Sequence, residues 1–405
     1  MSTKIWGIAF PSILGGLGTE RVIAEAAEMA QSEFIICSMI YKSYRLIMPR
    51  HPRQIYQLET GMSFYPINEA AYKGCAIRPA VTRDYAGRDF FKEALKAAEK
   101  HNMGICAWLA CFANGRVAAE YPETGVQNMY GSRDRLFMCF NNPEVQKFVK
   151  AMFRDLAGQY PVTSLMADKI PQSMLELDTF GGRVDPLMRL VGSICFCEHC
   201  MAQAKKDGVD LAEAKKIALR VADATRKVPQ YVREGLADEL QGDHEVPAFL
   251  IEEPLIAEVL RWRIDCVARF LGEVRELVTS IRPGAKISAC LVPPAKIGHD
   301  ATQPRVWLSA ESYSKFAKVV DTIHSVIHWN PDVVEYDTRR ARDLVDRGNP
   351  ECELCLHVAA YGRRRPEEMS SLYRAAMSQG ADSMAFFCHD LMDERMMDAL
   401  KQLPR

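Results

Sequence analysis

The sequence predicts an α/β protein folded as a (β/α)8 barrel, with long insertions after its second and fourth strands. Three observations carry this expectation. Eight short apolar runs recur along the 405 residues, amphipathic stretches at 3.6-residue spacing lie between them, and the runs are apolar throughout rather than alternating. Strands buried on both faces and separated by helices form a parallel sheet, and eight such units close a barrel.

The runs are Ile5–Phe10, Phe34–Ile40, Gly104–Phe112, Ser164–Ile170, Lys286–Val292, Val320–Trp329, Glu353–Ala359 and Ser383–Cys388. Helical patterns fall at Glu20–Gln31, Asp89–Lys100, Pro143–Gln159, Ile256–Ile281, Ser312–Lys318, Thr338–Arg347 and Pro366–Ser378. After the first run, Gly15-Gly16-Leu17-Gly18 lacks the order of GxGxxG, which argues against a doubly wound dinucleotide fold. Two connections are too long for plain βα loops. Residues 41–88 hold Arg50-His51-Pro52-Arg53, and residues 171–251 hold the tract Cys195-Phe-Cys197-Glu-His-Cys200 and a charged helix from Leu211 to Arg226. Residues 1–405 read as one decorated domain without an internal repeat.

Lys+Arg of 51 against Asp+Glu of 52 leaves a net charge of -1, so no global field draws nucleic acid or an anionic membrane. The N-terminal residues offer neither a signal-peptide pattern nor an 18-residue apolar span. Thirteen cysteines, many inside the strand runs, fit a reducing compartment, so a cytoplasmic location is expected. The expected partner is a small carbohydrate, and self-association stays open.

Barrel enzymes carry their chemistry where strands end at the C-terminal face. The fourth run ends in Asp168-Lys169, which makes Asp168 the first catalytic candidate and Lys169 a candidate substrate contact. Adjacent residues on regular strand backbone face opposite sides, so both cannot reach the mouth without a break in the backbone. The eighth run is followed by His389-Asp390, and the seventh, from Leu354 on to Tyr361, carries His357 but no carboxylate. Asp390 and His357 are therefore the candidate partners, with Glu59, Asp84 and Asp178 behind them. His324, His328, His357 and His389 lie on the last three strands and are expected to converge at one mouth, where they could relay protons or hold a divalent metal. Neither HExxH nor HxH spacing is present, so no metal or other cofactor is assigned.

The CFCEHC tract has the look of a zinc or redox motif, but a structural zinc needs four ligands. The second CxxC, Cys352 to Cys355, places Cys355 in a strand core. The tract is read as local packing ahead of a helix at Met201–Lys206. Trp108, Trp329 and Tyr361 near strand ends, with Tyr41 in the following loop, supply rings on which a sugar face stacks, and His51, His328 and His389 supply polar contacts.

Several tracts together resemble a family. They are Tyr160-Pro-Val162, Leu165-Met-Ala-Asp168-Lys169-Ile-Pro171, the CFCEHC tract, Arg50-His-Pro52, Gly104-Ile-Cys-Ala-Trp108, Asn142-Pro-Glu-Val145, Trp262-Arg263 and Arg282-Pro-Gly284. The chain resembles glycoside-hydrolase-like TIM barrels of the α-amylase-like superfamily, hypothetical glycosyl hydrolases with a CFCxxC element. The resemblance implies carbohydrate processing rather than any named sugar. The function expected is glycoside hydrolysis with Asp168 as acid/base or nucleophile. The alternatives are a metal-dependent sugar isomerase, epimerase or lyase using the late histidines, and a catalytically silent carbohydrate-binding barrel.

Overall fold

The computed structural model describes residues 4–53, 55–84, 87–170, 186–229, 245–293, 309–328, 333–362 and 364–403. Eight parallel strands close a barrel: β1 Lys4–Ala9, β2 Gln31–Met39, β3 Gly104–Ala110, β4 Ser164–Asp168, β5 Lys286–Leu291, β6 Thr322–His328, β7 Glu353–Ala359 and β8 Ser383–Phe387. Each strand pairs with its sequence neighbour and β8 returns to pair with β1, so the barrel itself has no free edge. The helices of the eight units are α1 Thr19–Glu28, α2 Phe90–Glu99, α3 Pro143–Gln159, α4 Pro254–Ile281, α5 Tyr313–Phe316, α6 Val334–Gly348, α7 Met369–Ser378 and α8 Glu394–Lys401.

Local chemistry starts these helices where they start. Asp89 accepts from the Lys92 amide ahead of α2, and Asn142 accepts from Glu144 and Val145 ahead of α3, whose first residue is Pro143. The eighth helix is only eight residues long and buries Met396, Met397 and Leu400, and Asp393 caps it at Met396 N. The second strand begins at Gln31 rather than Phe34, since its polar start has barrel partners: Glu33 accepts from the hydroxyls of Thr163 and Ser164. Lys4 and Lys286 both reach Glu353, at 2.9 and 3.0 Å, and close the N-terminal end with charge.

Alternate residues on each strand face the helices, among them Phe34, Ile36, Leu165, Leu356 and Phe386, all fully buried. The other set fills the barrel. Register puts Trp6 of β1 beside Ala385 of β8, Ala385 beside His357 of β7, and Met166 of β4 beside Trp108 of β3.

Excursions gather after the strands. Following β2, an antiparallel hairpin pairs Tyr44–Ile47 with Ile55–Leu58. Following β4 come helices Pro186–Gly192, Glu198–Asp207, Leu211–Lys227 and Glu245–Glu252. A further excursion follows β3, where helix Gly115–Glu120 and a hairpin of Gly125–Gln127 with Arg133–Met138 precede α3. Its short strands carry no long apolar run, which is why periodicity gave no sign of them. No helix among the described residues is long and apolar enough to cross a membrane.

Candidate active site

Asp168 is the last residue of β4, pairs in register with Ala110 of β3, and is only 5% exposed. One carboxylate oxygen, Oδ2, accepts from Trp108 Nε1 at 2.9 Å, and the other, Oδ1, accepts from the Lys169 amide at 2.6 Å. Two neighbouring strands therefore hold this carboxylate in one orientation. Trp108 also belongs to an aromatic group with Phe10 at 5.4 Å and Phe387 at 6.3 Å between ring centroids, and Tyr361 stands 6.1 Å from Phe387. These rings come from the C-terminal ends of β1, β3, β7 and β8, so they line the mouth beside the carboxylate.

Lys169 escapes the alternation that would send it to the opposite face. Its φ of +51° is left-handed, a conformation seldom taken by a residue with a Cβ, and it turns the side chain back toward Asp168. Lys169 Nζ lies 3.9 Å from Asp168 Oδ1 and 4.8 Å from the Tyr41 ring centroid. The Tyr44 hydroxyl donates to that of Tyr41. Burial opposes the Lys169 charge most, yet Asp168, then Tyr41, Cys290 and Glu311, outweigh it and raise the ammonium above its ordinary value.

Glu311 is a site residue that sequence reasoning did not single out. It lies in the segment leading into α5, is 2% exposed, and accepts from the Val292 amide at the end of β5 through Oε2 at 2.8 Å. It lies close enough to Lys169 and Cys290 to act on both, as Asp168 does. The available signal was a carboxylate directly before Ser312, the N-cap of α5, but a helix start is also where a solvated acid commonly sits.

Other expected residues lie elsewhere. Asp390 is fully buried and accepts from Phe10 N, Ser12 Oγ and Ile13 N at 2.7, 2.6 and 3.1 Å, so it caps the helix Pro11–Leu17 instead of presenting an oxygen to the mouth. Burial pushes its pKa up to about 6. His389 is also fully buried, edge-on to Phe34 with its Nε2 3.1 Å from Gln31 Oε1. Burial first, then the Arg50 charge, pushes it down to about 3, which leaves a neutral ring with no exposed edge for a sugar. His51 is buried against Gly16, where a Cβ would strike its ring, and its Nδ1 accepts from Arg53 N.

His389 therefore lies apart from the other described histidines of the last three strands. His324 and His357 meet inside the barrel, with Nδ1 of one 2.7 Å from Nε2 of the other, and burial pushes His324 down to about 3. Two nitrogens that close share a hydrogen bond; ligands around one ion at about 2.0 Å stand farther apart. Cys355 completes this buried group, which suits a metal poorly. His328 ends β6 beside Val358, and its side chain, like Trp329 and Asp178, lies outside the described residues.

The CFCEHC tract packs ahead of a helix, Glu198–Asp207, with Cys197 as its N-cap, and a further thiol joins it. Cys195, Cys197 and Cys200 are joined by Cys139, from the turn before α3, and the four buried sulfurs lie within 4.8 Å of one another. The fourth thiol comes from neither Cys352 nor Cys355. Spacing could not reveal it, because Cys139 is brought in by the fold.

No protein-family model matches the sequence, and no curated protein matches it either. Solved structures do resemble it. The PgaB (BpsB) glycoside hydrolase domain from Bordetella bronchiseptica superposes with a TM-score of 0.60 at 12% identity over 98% of both chains. A catalytic mutant of Gan42B, a GH42 β-galactosidase from G. stearothermophilus, gives 0.57 at 14% identity over 99% of this chain and 56% of its own. The catalytic domain of a β-amylase from Paenibacillus polymyxa gives 0.52 at 8% identity, covering 98% of this chain and 97% of that one. At such identities the likeness is one of fold.

Proposed function

We propose that this chain is a glycoside-processing barrel enzyme that cleaves a small carbohydrate substrate, with Asp168 at the reacting carbon. The observation that carries the reading is the Asp168 carboxylate, fixed by the Trp108 indole beside the rings of Phe10, Phe387 and Tyr361. A sugar ring stacks its C–H face on such rings, which brings the anomeric carbon within reach of a carboxylate at a strand end. Glycosidases share this fold among its neighbours, which supports the reading without naming a sugar.

In this mechanism an Asp168 oxygen forms a bond to the anomeric carbon while Glu311 gives its proton to the leaving glycosidic oxygen. Water then breaks the glycosyl ester, with Glu311 taking the proton back. Lys169 orients the Asp168 oxygen through its ammonium, 3.9 Å away, and Glu311 begins the cycle protonated. Thirteen free, buried cysteines suit a reducing cytoplasm. Kinship to the α-amylase-like superfamily rests on the sequence tracts alone.

The test is release of the aglycone from a panel of aryl glycosides of different sugars and both anomeric forms, with Asp168→Asn as control. Turnover that the substitution removes supports the reading. Turnover that survives it overturns the site. The end of β7, Val358-Ala-Ala-Tyr361, holds no carboxylate and favours a second reading, a barrel that binds sugar without cleaving it. Saturable sugar binding with no turnover on the whole panel would select that reading.

A further inference from the structure

We infer that Cys139, Cys195, Cys197 and Cys200 form a structural tetrathiolate site for one zinc ion, which clips the excursion after β3 to the excursion after β4. This inference stands apart from the proposed glycosidase chemistry.

The distances suit a tetrahedron. Cys139 Sγ lies 3.4 Å from Cys200 Sγ and 3.5 Å from Cys197 Sγ, and all four sulfurs fall within 4.8 Å of one another. Zinc–sulfur bonds of about 2.3 Å give sulfur–sulfur edges of about 3.8 Å, inside that range. A disulfide would need about 2.05 Å, and one sulfur equally close to two others is not a disulfide in waiting.

The surroundings suit thiolates. Backbone and side-chain N–H groups donate to three of the sulfurs: Gln127 N to Cys195 at 3.3 Å, Asn141 Nδ2 to Cys200 at 3.5 Å and Cys200 N to Cys197 at 3.5 Å. Such donors are the usual outer partners of metal-bound sulfur. Cys197 is also the N-cap of helix Glu198–Asp207, where the helix dipole favours negative charge. Arg263 of α4 is buried nearby, with its charge acting on Cys200, Cys195 and Cys139. A zinc tetrathiolate carries net negative charge, and a buried guanidinium offsets it.

Four thiolates in tetrahedral array suit zinc, iron being the other ion of that geometry, and a closed set of four protein ligands leaves no position for substrate. The role is therefore structural. The two excursions are already in contact through Phe196 N to Gln127 O at 2.8 Å and the Arg133–Glu198 ion pair at 2.9 Å, and the metal would fix that contact.

The experiment measures zinc in the purified full chain by mass spectrometry, then replaces it with Co²⁺ and records the absorption spectrum. About one zinc per chain is expected, with a sulfur-to-cobalt charge-transfer band and the visible bands of tetrahedral cobalt. Cys139→Ser and Cys200→Ser should each lose the stoichiometric zinc and that spectrum, whereas Cys352→Ser should retain both. Chelation should lower the melting temperature. A metal-free wild-type chain that gives no thiolate spectrum with Co²⁺ overturns the inference, and so does zinc retained unchanged in Cys139→Ser. If the serine variants fail to fold, the wild-type zinc content and cobalt spectrum decide.

Discussion

Trp108 and Asp168 are joined across neighbouring strands, the indole Nε1 donating to carboxylate Oδ2 at 2.9 Å with both side chains more than nine-tenths buried. A buried carboxylate held by a rigid ring keeps one orientation whether or not substrate is present, which is what positioned catalysis needs. Asp168→Asn keeps the size of the side chain but removes its nucleophile. Turnover should fall by about 10²-fold or more, with sugar binding retained. Trp108→Phe keeps a ring and loses the donor, so kcat should fall roughly 10- to 100-fold, the worth of a hydrogen bond to a charged group. Steady-state kinetics with the melting temperature measured alongside checks both, and a pair of stable variants with wild-type kcat would remove Asp168 from the mechanism.

Glu311 has a signature that separates proton donation from structure. Glu311→Gln keeps an oxygen to accept from Val292 N but cannot protonate a leaving group. Its kcat should drop about 10²-fold on substrates with poor leaving groups and recover on dinitrophenyl glycosides, which leave without a proton. Equal loss on both substrate types would count against the acid/base role.

Much of this architecture was legible in the chain. The eight apolar runs mark the eight strands because a parallel barrel buries both strand faces, and Asp168 stood out as a carboxylate ending one of them. What stayed hidden depends on backbone and long-range placement. Nothing in the pair Asp168-Lys169 announces a left-handed φ at Lys169, so strand alternation pointed its side chain the wrong way. His389 and Asp390 follow a strand end, as a site residue should, yet the backbone past Phe387 carries one to Phe34 and the other to the Pro11–Leu17 helix. Glu311 and Cys139 sit in connections, where residue type alone does not distinguish a site from solvent.

The left-handed backbone of Lys169 gives a stability test independent of its charge. Lys169→Gly suits a φ of +51° and should leave stability within about 1 kcal/mol of wild type while losing the ammonium, so activity should fall about 10-fold or more. Lys169→Val puts a β-branched side chain in the same conformation and should destabilise by roughly 1–2 kcal/mol. Thermal melts read by circular dichroism rank the three proteins. A valine variant as stable as the glycine one would contradict the left-handed assignment.

Asp390 should show itself through pH rather than through catalysis. Burial raises its folded-state pKa from 3.8 to about 6, so between these values the folded protein holds a proton that the unfolded chain has released. Stability then falls as pH rises through that window, by about 3 kcal/mol in all, and the loss is complete above the folded pKa. Asp390→Asn has no proton to exchange. Its amide also meets three donors with one fewer acceptor oxygen, which costs stability by an amount that does not vary with pH. The gap in melting temperature between wild type and variant should therefore shift against the wild type from about pH 4 to pH 6 and stay level above pH 7. Turnover per folded molecule should remain within about 2-fold of wild type, because no Asp390 oxygen is exposed to substrate. A kcat loss as large as that of Asp168→Asn, with the melting temperature unchanged across pH, would return Asp390 to the catalytic machinery.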